Sequence, residues 1–116
     1  MRVMRSLDTS VYLKQVSYFN KLKKQLCKDF GDDEFDELVK NINIETSHKL
    51  LSVTSQYLTY LETKHTEMFF HVLYKIDIPE KDFRSQILET GLDIQFLSEL
   101  VIKRELIKIL MREKYS

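Results

Sequence analysis

The stretch SHKLLSVTSQYLTYLETKHTEMFFHVLYKI, residues 47–76, decides the fold of this chain. It runs for thirty residues without glycine or proline. Its apolar side chains recur at steps of three and four residues, the spacing that places them on one face of a helix: Leu50, Leu51, Leu58, Leu61, Met68, Phe69, Val72, Leu73 and Ile76. We therefore predict one helix of about 45 Å, which needs other segments, or a second chain, packed along it.

The composition of the whole chain favours an all-α fold. Only two glycines and one proline occur in 116 residues, which leaves too few turn residues for the repeated reversals of a sheet protein. A chain of this length, with 43% apolar residues, is expected to form one domain over residues 1–116.

The segments on either side of the long stretch are predicted to be helices that pack against it. A first helix starts at Asp8, Thr9 or Ser10, carries the stripe Leu13, Val16, Phe19, Leu22, Leu26 and Phe30, and stops at Gly31. A short second helix is capped by Asp32 or Asp33, another covers residues 80–88 after Pro79, and the last covers residues 94–111 after Asp93. We predict a compact bundle of about five helices, three long and two short, around a long central helix.

Charge is balanced over the chain but divided along it. Eighteen basic and eighteen acidic groups cancel, so no global field would attract nucleic acid or an anionic membrane. Residues 1–31 hold seven basic and two acidic groups, whereas residues 32–45 hold one basic and six acidic groups. We expect this opposition to help the first two helices dock antiparallel, although exposed pairs contribute only about 0–1 kcal/mol each.

The compartment predicted from the sequence is the cytoplasm. The single cysteine, Cys27, excludes an intramolecular disulfide, and residues 1–5 lack the apolar run of a signal peptide. No apolar stretch of eighteen residues occurs, so we expect no membrane span.

Two runs in the C-terminal half carry a resemblance. FFHVLYKIDIPEK, residues 69–81, and LSELVIKRELIKI, residues 97–109, resemble a family of short all-helical bacterial proteins. In that family an L-Y-[KR]-I-D turn follows the central helix and an I-[KE]-R-[EQ]-L-x-K-I block closes the chain. The resemblance covers about fifty residues, implies a helical fold, and brings no activity, cofactor or partner with it.

Candidate chemistry in the sequence has a structural explanation in each case. Glu-x-x-His occurs at Glu45–His48 and at Glu62–His65, a spacing that can pair two metal ligands on a helix. The two motifs lie seventeen residues apart on the predicted long helix, about 25 Å, too far to share a metal in one chain. His65 is interpreted as a core histidine, and Cys27 as an inert, partly apolar thiol despite the lysines beside it. We predict no catalytic, metal, cofactor or small-molecule site, and no enzymatic activity.

Two basic tracts support an alternative function, nucleic-acid binding. One comprises the lysines of the first helix, and the other lies near the C-terminus. In the second tract Arg104, Lys108 and Arg112 recur every four residues and would form a ridge along a helix, as tracking of phosphates requires. Glutamates interleave with them, so a solvated helical face is the preferred interpretation.

Several aromatic side chains lie off the predicted apolar stripes. The strongest candidates for a partner surface are Tyr57, Tyr60, Phe70 and Tyr74, with Phe70 and Tyr74 one helical turn apart. The alternative is that the long helix is buried nearly all round, which would place these rings in the core of one chain. We predict a protein–protein interaction or scaffold module that self-associates, most simply as a homodimer.

Overall fold

Five α-helices and one short 3-10 helix form the part of the chain that the computed structural model describes, namely residue 12, residues 14–78 and residues 93–115. The helices are α1 (Val16–Phe30), α2 (Asp33–Val39), α3 (Lys49–Lys64), α4 (Thr66–Ile76) and α5 (Ile94–Tyr115), with the 3-10 helix at Ile44–Thr46. Within these residues there is no strand, and the all-α bundle is confirmed. The predicted start at residues 8–10 and the predicted helix at 80–88 lie outside the described residues.

Helix α1 follows a break in the predicted first helix and ends where predicted. Gln15 is extended, so the helix begins at Val16, which is exposed. The rest of the described stripe, Phe19, Leu22, Leu26 and Phe30, is buried. Gly31 ends the helix in the left-handed region (φ 59°), and its N–H donates to the carbonyl of Cys27. Because a left-handed residue is strained for side chains with a Cβ, glycine suits this position.

Helix α2 docks on α1 by apolar contact. Asp32 is the residue that caps it, since its Oδ1 accepts a hydrogen bond of 2.9 Å from the N–H of Glu34. Phe35 packs edge-on against Phe30 with ring centroids 4.3 Å apart. The opposite charges of the two segments were expected to assist this docking, but no ion pair joins α1 to α2, both of which are fully described.

The prediction of one continuous helix over residues 47–76 is wrong. The helix stops at Lys64 and a new one begins at Thr66, because His65 leaves the helical region with φ −142° and ψ 63°. The N-terminal end also differs. Asn43 caps the 3-10 helix with a capping box, and α3 starts only at Lys49.

Threonine hydroxyls explain how a helix without glycine or proline can break. Thr59, Thr63 and Thr66 each donate a hydrogen bond to the carbonyl four residues earlier, at 2.7–3.1 Å. Hydroxyls that bond back to these carbonyls compete with the backbone N–H groups and bend or weaken a helix. Three such bonds occur within the last turn and a half of α3 and the first residue of α4.

Helix α5 holds the described helices together. It contacts α1, α3 and α4, and Asp93 caps it by accepting from the N–H of Phe96 at 3.1 Å. Its buried side chains lie on more than one face: Leu97, Ser98, Val101, Ile102, Glu105, Leu106, Ile107 and Ile109. None of the described helices has both the length and the apolar character needed to cross a membrane.

Helices α1 and α5 run antiparallel. Three side-chain contacts establish the register, because the residue number falls along α1 as it rises along α5: Asp29 with Lys108, Gln25 with Arg112, and Lys21 with Glu113. The C-terminal end of α1 therefore lies near the middle of α5, and its N-terminal half lies near the end of α5.

Candidate functional site

The four aromatic residues predicted as a partner surface separate into buried and exposed groups. Tyr57 is only 2% exposed, so the prediction that it contributes to a surface is wrong. Tyr60 is 37% exposed, Phe70 48% and Tyr74 84%. Of these four candidates, the two most exposed lie on α4, and Tyr60 lies near the break between α3 and α4.

Tyr57 is buried because aromatic rings from two other elements enclose it. Its ring centroid lies 5.2 Å from that of Phe30 and 5.1 Å from that of Phe35. Its hydroxyl donates to Oδ2 of Asp32, the same carboxylate that caps α2. Burial and this hydrogen bond raise the pKa of Tyr57 far above that of a free phenol. The apolar pattern within residues 47–76 could not predict this burial, because Phe30 and Phe35 precede that stretch in the sequence.

His65 lies at the surface, which corrects its interpretation as a core histidine. It is exposed at the break, and its Nε2 lies 3.0 Å from the hydroxyl of Tyr60, with the two ring centroids 5.3 Å apart. The break turns position 65 away from the apolar stripe that a continuous helix would have given it. His48 and His71 are also exposed.

Helix α4 carries an exposed aromatic strip, which we define as Phe70 and Tyr74. Its inward face is formed by Phe69, Val72, Leu73 and Ile76, all of them buried. At 100° per residue, Phe70 and Tyr74 lie one turn apart on the outward side, together with Glu67, His71 and Lys75. These three polar side chains are exposed too. The outward face of α4 therefore combines two rings with charged and polar groups.

Two of the three cations in the basic ridge predicted for the last helix, Arg104 and Lys108, form ion pairs with acidic side chains of their own chain, whereas Arg112 is exposed. Arg104 donates to Oδ2 of Asp77 at 2.7 Å, and its side chain is 17% exposed. Lys108 donates to Oδ2 of Asp29 at 2.7 Å and to the carbonyl of Lys75 at 3.1 Å. Both cations are thus occupied by internal partners, and the expectation of a three-residue phosphate-tracking ridge is wrong for this geometry.

A carboxyl pair lies beneath that ridge. Glu105 is fully buried, and Nζ of Lys108 lies 3.3 Å from its Oε2. Burial, followed by the hydrogen bond with Asp29 and the charge of Asp29, raises the pKa of Glu105 to about 9. For Asp29, burial also acts to raise the pKa, but hydrogen bonds from Glu105, Lys108 and Gln25 outweigh it and lower the pKa. At neutral pH Glu105 is therefore protonated and Asp29 is ionised.

Between α1 and α5 opens a groove of about 330 Å³, which we call the basic groove. It is lined by Lys21, Lys24, Gln25, Lys28, Ile109, Arg112 and Glu113. Its walls bring three lysines of the first basic tract, Lys21, Lys24 and Lys28, close to Arg112 of the second tract. The sequence marks each tract separately, but only the antiparallel register of α1 and α5 shows that they face one another.

The remaining motifs are dispersed. Glu45 belongs to the 3-10 helix and His48 precedes α3, while the second Glu-x-x-His motif spans the break, so neither motif lies on one helical face. Across the described ranges, no group of three or more histidine, cysteine or acidic side chains is arranged to hold a metal. Cys27 is half-buried. Burial, followed by a hydrogen bond with Asp36, raises its thiol pKa to about 11, which disfavours the reactive thiolate at neutral pH.

Comparisons with known proteins give no functional assignment. No protein-family model matches the chain, and no match is found among curated proteins or solved structures. Function must therefore be inferred from the side chains themselves.

Proposed function

We propose that this protein is a self-associating interaction module and that two copies pair through the outward face of α4. The observation that supports this proposal is the exposure of the aromatic strip. Tyr74 is 84% exposed and Phe70 is 48% exposed, one helical turn apart on the same helix. Tyrosine and phenylalanine are enriched in protein interfaces, and large rings exposed together favour burial against a partner.

Charge on the same face favours a second copy as the partner. Glu67 and Lys75 lie at the two ends of the outward face of α4, the Lys75 ammonium extends toward Gly31 at the end of α1, and neither side chain forms an ion pair with another described residue. In an antiparallel pairing of two α4 helices centred near His71, Glu67 of one copy would lie opposite Lys75 of the other. Phe70 of one copy would then lie near Tyr74 of the other. A two-fold interface of this kind is self-complementary. Because the net charge of the chain is zero, two copies do not repel one another at long range.

The setting we propose is the reducing cytoplasm, supported by the single, half-buried cysteine. The resemblance of residues 69–81 and 97–109 to short bacterial proteins favours a bacterial origin. A nucleic-acid function has less support, because Arg104 and Lys108 have internal partners.

Solution mass tests the proposal directly. Sedimentation equilibrium over a wide concentration range should show a monomer–dimer equilibrium for the wild type. Phe70→Ala and Tyr74→Ala should each weaken it by about tenfold, the effect of removing an aromatic anchor from an interface. Met111→Ala is the matched control, since Met111 is 51% exposed on α5, a different helix. A wild type that stays monomeric at every concentration would overturn the proposal.

A charge swap tests the antiparallel arrangement. Glu67→Lys alone places lysines opposite one another at both ends of the paired helices, and Lys75→Glu alone places acidic groups opposite one another, so each should weaken the dimer. The double variant, Glu67→Lys with Lys75→Glu, restores opposite charges and should recover the wild-type association. Additive loss in the double variant would exclude this pairing.

A further inference from the structure

The basic groove has the charge of an anion site. Of its lining residues, four side chains are cationic and one is a carboxylate, which leaves a net charge of +3. Lys21 is paired with Glu113, whereas Lys24 and Lys28 form no ion pair with any described residue. Lys24 and Lys28 lie one turn apart on α1, and Arg112 faces them from α5.

Arg112 is held in place from inside the molecule. One of its terminal nitrogens donates to Oε1 of Gln25 at 2.9 Å, and Gln25 is only 6% exposed. Nε2 of Gln25 in turn donates to Asp29 at 3.1 Å, and Asp29 is fixed by Lys108 at 2.7 Å. A guanidinium has five N–H donors in a rigid fork, so this anchoring bond leaves the others available for an anion. A buried side chain thus orients a cation at the wall of the groove.

Glu113 limits what this groove can hold. Hydrogen bonds, first from Lys21 and then from Tyr18, lower the pKa of Glu113, so it is ionised at neutral pH. Its negative charge lies at the end of the groove nearest the end of α5. A long polyanion that continued past this end would meet a fixed carboxylate, whereas a single phosphate group beside Lys24 and Lys28 would not. The volume of about 330 Å³ is at the small end of the range for ligand pockets.

We propose that the basic groove binds a small phosphorylated molecule, with Lys24, Lys28 and Arg112 contacting the phosphate. Arginine and lysine are the usual partners of phosphate oxygens. The groove of about 330 Å³ leaves room beside a phosphate for an organic group, which free phosphate would not fill. The residues of this site are separate from the aromatic strip on α4, so the two proposals can fail independently.

Titration calorimetry with glucose 6-phosphate and with inorganic phosphate, in a buffer free of phosphate and sulfate, tests the site. We expect saturable binding of the monoester with a Kd below about 1 mM, tighter than that of inorganic phosphate. The double variant Lys24→Gln, Lys28→Gln should weaken binding by about tenfold or more. Arg112→Lys should also weaken it, because lysine keeps the charge but not the fork.

The matched control is Lys40→Gln, which changes an exposed lysine at the C-terminal end of α2 that pairs with Glu37 and does not line the groove. It should leave the affinity within about twofold. Circular dichroism of each variant establishes that it is folded, which is expected for exposed lysines. Three outcomes would overturn the proposal: no saturable binding of either phosphate, equal weakening by Lys40→Gln, or tighter binding of a single-stranded oligonucleotide that displaces the monoester.

Discussion

Asp29 of α1 and Glu105 of α5 both lie against the ammonium of Lys108 inside the bundle, with Nζ 2.7 Å from Oδ2 of Asp29 and 3.3 Å from Oε2 of Glu105. The pKa values of the two carboxyl groups shift in opposite directions, since that of Glu105 is raised and that of Asp29 is lowered. Lys108 of α5 thus pairs with Asp29 of α1, and it also donates a hydrogen bond to the carbonyl of Lys75 at the end of α4.

Stability should fall with rising pH because of Glu105. Its carboxyl titrates near 4.5 when unfolded and about 9 when folded, so between these values the folded state holds the extra proton. The free energy of unfolding should therefore decrease as pH rises through this window, by up to about 1.4 kcal/mol per pH unit. Asp29 acts oppositely, because its lowered pKa contributes stability above its unfolded value of 3.8 that is lost at lower pH.

Replacing Glu105 with its neutral isostere isolates this effect. Glu105→Gln should flatten the decline and make the protein more stable than the wild type at pH 8, as measured by urea unfolding over a pH series. Glu99→Gln changes an exposed glutamate of the same helix and should leave the pH profile of the wild type in place. A wild-type stability that is constant between pH 5 and pH 8 would show that the pKa of Glu105 is not raised by folding.

The Tyr57–Asp32 hydrogen bond should stabilise the fold by about 1 kcal/mol. Tyr57→Phe removes the hydroxyl but keeps the ring between Phe30 and Phe35, so the loss measures the bond rather than the packing. Asp32→Asn retains a side chain that caps helices as well as aspartate does. In the Asp32→Asn background, Tyr57→Phe should cost less than in the wild type, and a double-mutant cycle by urea unfolding gives the coupling energy.

Tyr74→Phe serves as the reference for that cycle, because the hydroxyl it removes belongs to a largely exposed ring. It should change the free energy of unfolding by less than about 0.5 kcal/mol. Equal costs for Tyr57→Phe and Tyr74→Phe would mean that the buried hydroxyl contributes nothing.

The Cys27 thiol should react slowly with Ellman's reagent. Its pKa is raised from 9.0 to about 11, so at pH 8 the thiolate fraction is about a hundredfold below that of an ordinary thiol. The rate should rise about tenfold per pH unit over this range. Asp36→Asn removes the charge that helps to raise this pKa and should accelerate the reaction, whereas Asp33→Asn should not. A wild-type rate that equals the rate in guanidinium chloride would contradict the prediction.

Asp77 should tolerate glycine better than alanine. It ends α4 in the left-handed region with φ 71°, and the N–H of Ile78 donates to the carbonyl of Leu73 at 3.1 Å, which completes a Schellman motif. Asp77→Ala and Asp77→Gly both remove the ion pair with Arg104, but alanine adds backbone strain of about 1–2 kcal/mol that glycine avoids. Thermal unfolding should rank the glycine variant above the alanine variant. The same melting temperature for both would show that this backbone position is not strained.

Local signals in the sequence predicted three helix ends correctly: the C-terminal end of α1 and the N-terminal ends of α2 and α5. Gly31, Asp32 and Asp93 each act through hydrogen bonds to residues within four positions, so the sequence near them contains nearly all the information needed. The all-α class was predictable for a related reason, the scarcity of glycine and proline. The break at His65 depends on local signals of another kind, three threonines at four- and three-residue spacing, which a search for glycine and proline does not detect.

The burial of polar side chains could not be predicted from the sequence of a single helix, because some of their partners lie on other helices. Glu105 lies among Val101, Ile102, Leu106 and Ile109, so its position on an apolar face is visible in the sequence. Lys108, three residues later on the same helix, lies 3.3 Å from Glu105, but Asp29, which raises the pKa of Glu105, lies seventy-six residues earlier, and no pattern within α5 identifies it. The basic groove was missed for the same reason, since its two walls are far apart in the chain.

The interruption at His65 also sets a limit on dimensions. A straight helix from Lys49 to Ile76 would measure about 42 Å, whereas the longest extent of the folded chain is 36 Å. Because the helix is divided at His65, α3 and α4 are each shorter than 36 Å, and both pack against α5. Most of the apolar stripe is therefore buried within a single copy, although Met68 remains 46% exposed. A second copy could contact only the side chains that this packing leaves at the surface, chiefly those on the outward face of α4.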